Sequence, residues 1–427
     1  MTRNYRLICT ACGLVFFLCA GGACAEETLS WQDCIREAAK NHPDLISAQE
    51  SVKQAVAGKK VVVSALLPQI NSDLGVSTSK TSSKSSGSGT QNSYSYGVSG
   101  QQLLFDASKT ANNVRSAAET VKAAQYNYKF TSSGVRLRLR TAFINVLRAQ
   151  ELLNITDDIF KIRRSNLELI TLRYTSGIEH KGALLTAEAN LAEAQYEISQ
   201  AKRTLEVAQR GLIKEIGRAA FSPLRVNGEF RVSDTVLQEP DFEALAKNNP
   251  SLGKFAAQTN AAAFGIQSAK ASFFPQASVQ AGANRLGSHW PPQDDAWDAG
   301  LTLSFPIFEG GLRLAEVEQA QALYNQAREN ERSARDGVLL GLQQGWAGLQ
   351  DALETVEVQR KFLSAAQERA TIAEAQYSLG LIQFDNWTII EDDLVSAKKT
   401  FLNAQANALL AEANWIQAKG ETLEYAD

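Results

Sequence analysis

The chain has 427 residues, 44% of them hydrophobic and 21% charged, with 5 Cys, 3 His and 1 Met. It is too apolar for a disordered chain and too poor in cysteine for a disulfide scaffold. Its formal charge of −3 lacks the basic excess of a polyanion binder, which excludes nucleic acid as a partner.

Arg3 and Arg6 precede an apolar stretch from Leu7 to Cys19 and a small-residue cleavage site, Ala23-Cys24-Ala25. Residues 1–25 are therefore expected to be a secretory signal peptide. Lipidation at Cys24 is the alternative, although Gly21 stands where a lipidation motif carries Leu. Removal of this leader would leave Cys34 alone, with no partner for an internal disulfide. No later stretch reaches the ~18 apolar residues that a membrane-spanning helix needs. A periplasmic or extracellular protein, or a β-barrel, remains.

A helix carrying Asn41-His42-Pro43-Asp44-Leu45 is expected first. Strands follow at about 69–79 and 93–105, where Ile70, Leu74 and Val76, and then Tyr94, Tyr96 and Val98, alternate with Ser, Asn, Asp and Gly. The Ser/Gly/Thr-rich residues 80–92 read as the loop between them. From 106 to 177 there is no proline and helix formers predominate, which predicts a rod about 100 Å long. A shorter helix, 183–217, carries unbroken heptad steps through Ala187, Ala194 and Ala201. The turn at Gly177 makes the two a helical hairpin. Ala219–Glu243 reads as a connector.

The same order then returns. A helix bears Lys247-Asn248-Asn249-Pro250-Ser251-Leu252, and strands are expected at about 276–285 and 297–307. A second proline-free rod runs from 309 to 380, and a heptad helix from 386 to 422, with Gly380 at the turn. Leu66-Leu67-Pro68-Gln69 returns 207 residues later as Phe273-Phe274-Pro275-Gln276. Tyr174-Thr175-Ser176-Gly177 returns 203 residues later as Tyr377-Ser378-Leu379-Gly380. The expected division is thus a first repeat at 26–218, the connector at 219–243 and a second repeat at 244–427.

The four strands have the length of transmembrane strands, and Tyr94, Tyr96, Trp290 and Trp297 sit where an aromatic girdle belongs. Four strands cannot close a membrane barrel, whose minimum is about eight, so several copies must share one. A polar strand face would line a water-filled pore, continued below the membrane by the rods.

Asn41-His42-Pro43-Asp44-Leu45, Leu66-Leu67-Pro68-Gln69, Gln102-Leu103-Leu104-Phe105-Asp106, Arg173-Tyr174-Thr175-Ser176-Gly177 and Gln376-Tyr377-Ser378-Leu379-Gly380 together resemble the TolC family of outer-membrane efflux and secretion channels. The resemblance implies a mainly α protein with a membrane β-barrel part. Each chain would supply a tandem repeat of strand hairpin plus long helical hairpin. A homotrimer would form a 12-stranded β-barrel continued by a 12-helix α-barrel, four strands and four helices coming from each copy. It also implies a passive conduit from periplasm to exterior, for a tripartite efflux pump or a type I secretion system. The implied partners are a periplasmic adaptor (membrane fusion protein), an inner-membrane transporter and outer-membrane lipid, in a Gram-negative bacterium.

In that family the helical tips close the tunnel and an acidic ring narrows its entrance. The ring positions here hold Asn386 and Ile389, with Asp385, Glu391, Asp392 and Asp393 nearby. Tyr377 matches a tip tyrosine of the closing contacts, while the matching partner positions hold Ala183 and Ile382. His180 or Lys181 opposite Asp385 is expected to replace the usual latch, with a nearby carboxylate making the entrance cation-selective. The blander reading of the acids is a solvated helix face or a favourable charge at a helix start. His42 reads as a turn residue and His289 as surface.

No G-x-x-x-x-G-K-[ST], G-x-S-x-G or H-E-x-x-H occurs, and three scattered His with so few Cys and Met make a metal site or cofactor unexpected. A free-standing porin would need more strands from one chain. A periplasmic coiled-coil adaptor or scaffold would share the heptads, yet has no use for strands such as Trp297–Phe305.

Overall fold

The computed structural model describes residues 27–83, 87–230 and 238–425. The expected leader, with Cys24, lies outside the described residues. A short strand β1 (Glu27–Ser30) runs into helix α1 (Trp31–Asn41), where Ser30 and Asp33 form a capping box. Helix α2 (Pro43–Ser64) follows, with His42 as N-cap and Pro43 in the first turn, where its missing N–H costs nothing. Next come β2 (Gln69–Ser83), β3 (Gly87–Phe105), the 67-residue α3 (Lys109–Thr175) and α4 (Lys181–Ile216). After β4 (Leu224–Asn227) and α5 (Phe242–Lys247), the second half repeats the order. It comprises α6 (Pro250–Ala271), β5 (Gln276–Gly287), β6 (Asp294–Ser304), a second 67-residue helix α7 (Leu312–Ser378) and α8 (Phe384–Ala418).

The strands form one antiparallel sheet in the order β2-β3-β5-β6, so that β2 and β6 are its open edges. Three differences from the sequence reading stand out. Residues 80–83 and 87–92, which fall in the expected loop, continue the β2–β3 ladder, with Lys80 opposite Thr90. Ser and Thr tolerate extended backbone, and an in-register ladder needs no apolar residue to carry on past the membrane-sized segment. The strand expected to start at Trp297 begins at Asp294, and it stops at Ser304, before Pro306, which lacks a ladder donor. The connector also holds a strand that the sequence reading missed: β4 pairs in parallel with β1, Leu29 lying opposite Val226.

Register sorts the two faces. Leu74 pairs with Tyr96, Tyr96 with Arg285, and Arg285 with Asp295. Val98 pairs with Ala283 and Ala283 with Trp297, so most apolar residues of the four strands share one face. Ile70, Leu74, Val76, Val98, Leu301 and Leu303 on that face are all exposed. Asn71, Ser99, Gly282 and Asp298 line up on the other face. Eleven residues of β6 at the usual tilt give a band roughly 25–30 Å high, the thickness of a hydrocarbon core. No helix among the described residues is long and apolar enough to cross a membrane.

Within each half, helices meet end to end. Gly217, just past α4, has φ +84° and lies so close to the end of α1 that a Cβ there would stand 2.5 Å from the Asn41 carbonyl oxygen. Gly420, just past α8, has φ +80° and would meet Pro250 Cδ at 2.4 Å. At the first joint His42 Nδ1 accepts from the Asp44 N–H (3.1 Å), which leaves its Nε2–H to donate to Glu215 (3.4 Å). Arg138 of α3 binds both Glu215 (3.2 Å) and Asp44. Burial alone would raise the Glu215 carboxyl, but hydrogen bonds from Lys214, His42 and Arg138 outweigh it and hold it below its ordinary value. At the second joint Asn249 does both jobs: its Oδ1 accepts from the Ser251 N–H and its Nδ2 donates to the Ala418 carbonyl. Around the first joint packs the main core, including Leu139, Phe143, Val146, Leu212, Ile216 and Leu224. Cys34 is fully buried there, and burial pushes its thiol up to about 12.

Candidate functional site at the helical tips

Far from the sheet, the α3–α4 and α7–α8 hairpins turn through Gly177 (φ +71°) and Gly380 (φ +75°), in the left-handed region that Gly adopts without steric cost. Between the two hairpins lies a small core of Ile170, Ala183, Ala187, Ala373, Tyr377, Phe384 and Trp387. Tyr377 is its centre. Its ring stacks on Trp387 (centroids 4.4 Å, planes 7° apart) and is covered on the other side by the Arg173 guanidinium at 4.6 Å. Its hydroxyl donates to Glu179 Oε1 at 2.8 Å, and its carbonyl accepts from Arg173 at 3.2 Å. Burial, followed by the Glu179 carboxylate beside it, holds the phenol well above its ordinary value.

Further from the turns the hairpins are joined again. Arg163 of α3, its side chain only 9% exposed, pairs with Asp392 of α8, and Lys399 of α8 pairs with Glu197 of α4. Arg369 and Asp393 link α7 to α8 at 3.4 Å. The tips are thus held across the hairpin boundary by two hydrogen bonds at Tyr377 and two ion pairs.

The expected pairing of His180 or Lys181 with Asp385 does not form within the chain. His180 instead accepts from the Ala183 N–H at 3.1 Å as N-cap of α4, and Lys181 opens that helix, exposed to solvent. Asp385 and Asn386 are exposed at the start of α8. Glu391 is buried and Asp392 is engaged by Arg163, so these two are not part of a freely solvated run. Ala183 and Ile382, where the latch partners were expected, pack against Tyr377 as apolar core.

Arg173, Glu179, Arg163 and Trp387 were not singled out as tip contacts from the sequence. A signal was present: at the repeat spacing of 203, Arg173 faces Gln376 and Glu179 faces Ile382. The copies differ in chemistry at the positions that build the contact.

At the other end of the molecule Trp290 lies edge-on to Tyr94 (6.3 Å) and within 6.2 Å of Tyr96. Trp297 shares that face of the sheet and is 82% exposed. Arg136, Arg138 and Arg140 turn to Glu421, Glu215 and the Trp31 ring respectively, three separate structural contacts. No group of His, Cys, Asp and Glu fit to hold a metal occurs among the described residues.

An apolar-faced sheet with open edges, carried on helical hairpins whose tips are bonded together, is the architecture of an outer-membrane channel subunit. The family model for outer membrane efflux proteins matches residues 34–218 and 242–421, and the chain belongs to that family. It is 20% identical to the outer membrane efflux protein BepC of Brucella suis, over 97% of this chain and 90% of that one. It is 23% identical to the outer membrane protein TolC of Escherichia coli, over 75% of this chain and 68% of that one. Among solved structures, the outer membrane protein VceC of Vibrio cholerae superposes with a TM-score of 0.78 at 18% identity, covering 92% of this chain and 96% of that one. The protein is accordingly an outer-membrane efflux or secretion channel, of a family of channels rather than enzymes.

Proposed function

We propose that three copies of this chain form a passive conduit from periplasm to exterior, closed at the helical tips and opened when an adaptor and an inner-membrane transporter dock. The observation that carries this reading is the incompleteness of one copy. Its sheet ends in two unpaired edges with an apolar face outward, and no energy-coupling motif accompanies it. Three four-stranded sheets joined edge to edge make a closed barrel, which an open sheet in lipid is not. The coiled-coil adaptor reading leaves the exposed apolar strand face without a role.

In this reading the Tyr377–Glu179 bond and the Arg173 clamp hold the closed state, and Asp385 contributes negative charge at the entrance. Tyr377→Phe combined with Glu179→Gln keeps the stack on Trp387 and removes the hydroxyl bond. The double variant should raise the conductance of the purified channel in planar bilayers several-fold. Wild-type conductance in a correctly assembled variant would show that the bond does not hold the gate.

A further inference from the structure

Glu391 and Glu188 stand at the same position of the two repeats, 203 residues apart. Glu188 is exposed on α4, whereas Glu391 is 7% exposed, because α8 is wedged between α3 and α7. Among the described residues Glu391 makes no hydrogen bond or ion pair. It shares a cavity of about 10 Å³, room for a single water, with Arg163, Asn166, Asn190, Trp387 and Thr388. The Trp387 indole N–H, in a side chain only 2% exposed, is also without a partner. The guanidinium of Arg163, which lines this cavity, is spent on Asp392 instead. One buried cation therefore stands among two carboxylates and satisfies only one.

We infer that Glu391 is a proton-operated release for the tip: protonated, it is tolerated in the dry contact where Arg163 holds Asp392 and the hairpins stay joined, and on losing its proton it becomes a second buried anion that the one guanidinium cannot also satisfy, so that α8 parts from α3 to let water reach it. This rests on the reading of the tips as the gate. The groups acting on Glu391 are Arg163 from α3, Glu374 from α7, and Asp392 and Lys398 from α8, while the α4 side facing the cavity offers only Ala187 and Asn190. Burial comes first and, with Glu374 and Asp392, raises the carboxyl above its ordinary value against the opposing pull of Arg163 and Lys398. The sign follows from linkage. The joined state binds the proton more tightly, so its advantage is fully present below the ordinary carboxylate pKa and is lost as pH rises through the raised one.

The test uses the purified full-length channel in planar bilayers from acidic to neutral pH. Wild-type conductance should rise with pH, while Glu391→Gln, which imitates the protonated acid, should stay at the low acidic value throughout. An infrared carboxylic-acid band that persists above the ordinary carboxylate range should appear in the wild-type-minus-variant difference spectrum, which removes the contribution of Glu412, whose carboxyl burial also raises. A Glu391→Gln channel with the wild-type pH profile, or a difference spectrum lacking the band, would overturn the proposal. Failure of the gate reading is separable: the Tyr377→Phe, Glu179→Gln channel would then conduct as wild type while the infrared band remained.

Discussion

Tyr174 and Tyr377 occupy equivalent places in a repeated motif, yet Tyr174 is 37% exposed and Tyr377 is 1% exposed. The difference lies in their neighbours, since only the second meets a stacked tryptophan, a guanidinium and a carboxylate. Repeat arithmetic located the turns at Gly177 and Gly380, because backbone demands are the same in both copies. It did not locate the tip contacts, which arise between the copies and depend on residues that differ, Arg173 and Glu179 above all. Within one chain His180 serves as the N-cap of α4 instead of meeting Asp385, because it stands just before a helix. The two joint glycines give a residue-scale prediction. Gly217→Ala places a methyl group against the Asn41 carbonyl at a left-handed φ and should cost on the order of 2–4 kcal/mol. Gly211→Ala within α4, where a Cβ meets nothing within 4 Å, should be neutral or slightly stabilising. Thermal unfolding of the two variants checks the contrast, and equal melting temperatures would refute it.

Two helices of identical length and parallel descent differ in how much of themselves they bury: α3 has 15 buried residues and α7 has 6. α3 lies between α4 and α8 in the lower part and between α2 and α6 in the upper part, whereas α7 has α8 and α6 on one side only. Leu340, Val358, Phe362 and Ile372 of α7 remain exposed. The heptads of α4 were legible in the sequence, and Ala187, Ala194 and Ala201 are indeed buried along them. What the heptads did not reveal is that α8 has a second buried line, Leu402, Ala406, Leu409 and Ala413, because a helix flanked on both sides needs two seams. In the sheet, alternation was readable strand by strand, while the shared face required the register. That face yields the element-scale prediction. Leu301→Asp puts a charge on the apolar face of β6 and should destabilise it in lipid, by less than the roughly 2–4 kcal/mol that Arg or Lys costs at the bilayer midplane, seen as reduced outer-membrane assembly. Thr302→Asp, one residue along on the polar face, should assemble normally, and equal behaviour of the two would mean that the faces were assigned wrongly.

For the whole molecule, the exposed flank of α7, the unpaired edges of β2 and β6 and the apolar sheet face are one fact seen three ways. Each is a surface left open in a single copy, and the proposed side-by-side joining of copies would cover all three. The length and doubling of the helices and the four strands of the antiparallel sheet were readable before any coordinates, because they follow from periodicity. The measurement that bears most directly on this claim is the mass of the protein extracted from outer membranes in mild detergent, by native mass spectrometry. Three copies of the chain, stable to dilution, is the predicted result. A lone, correctly folded chain with its strands outside the membrane would contradict it.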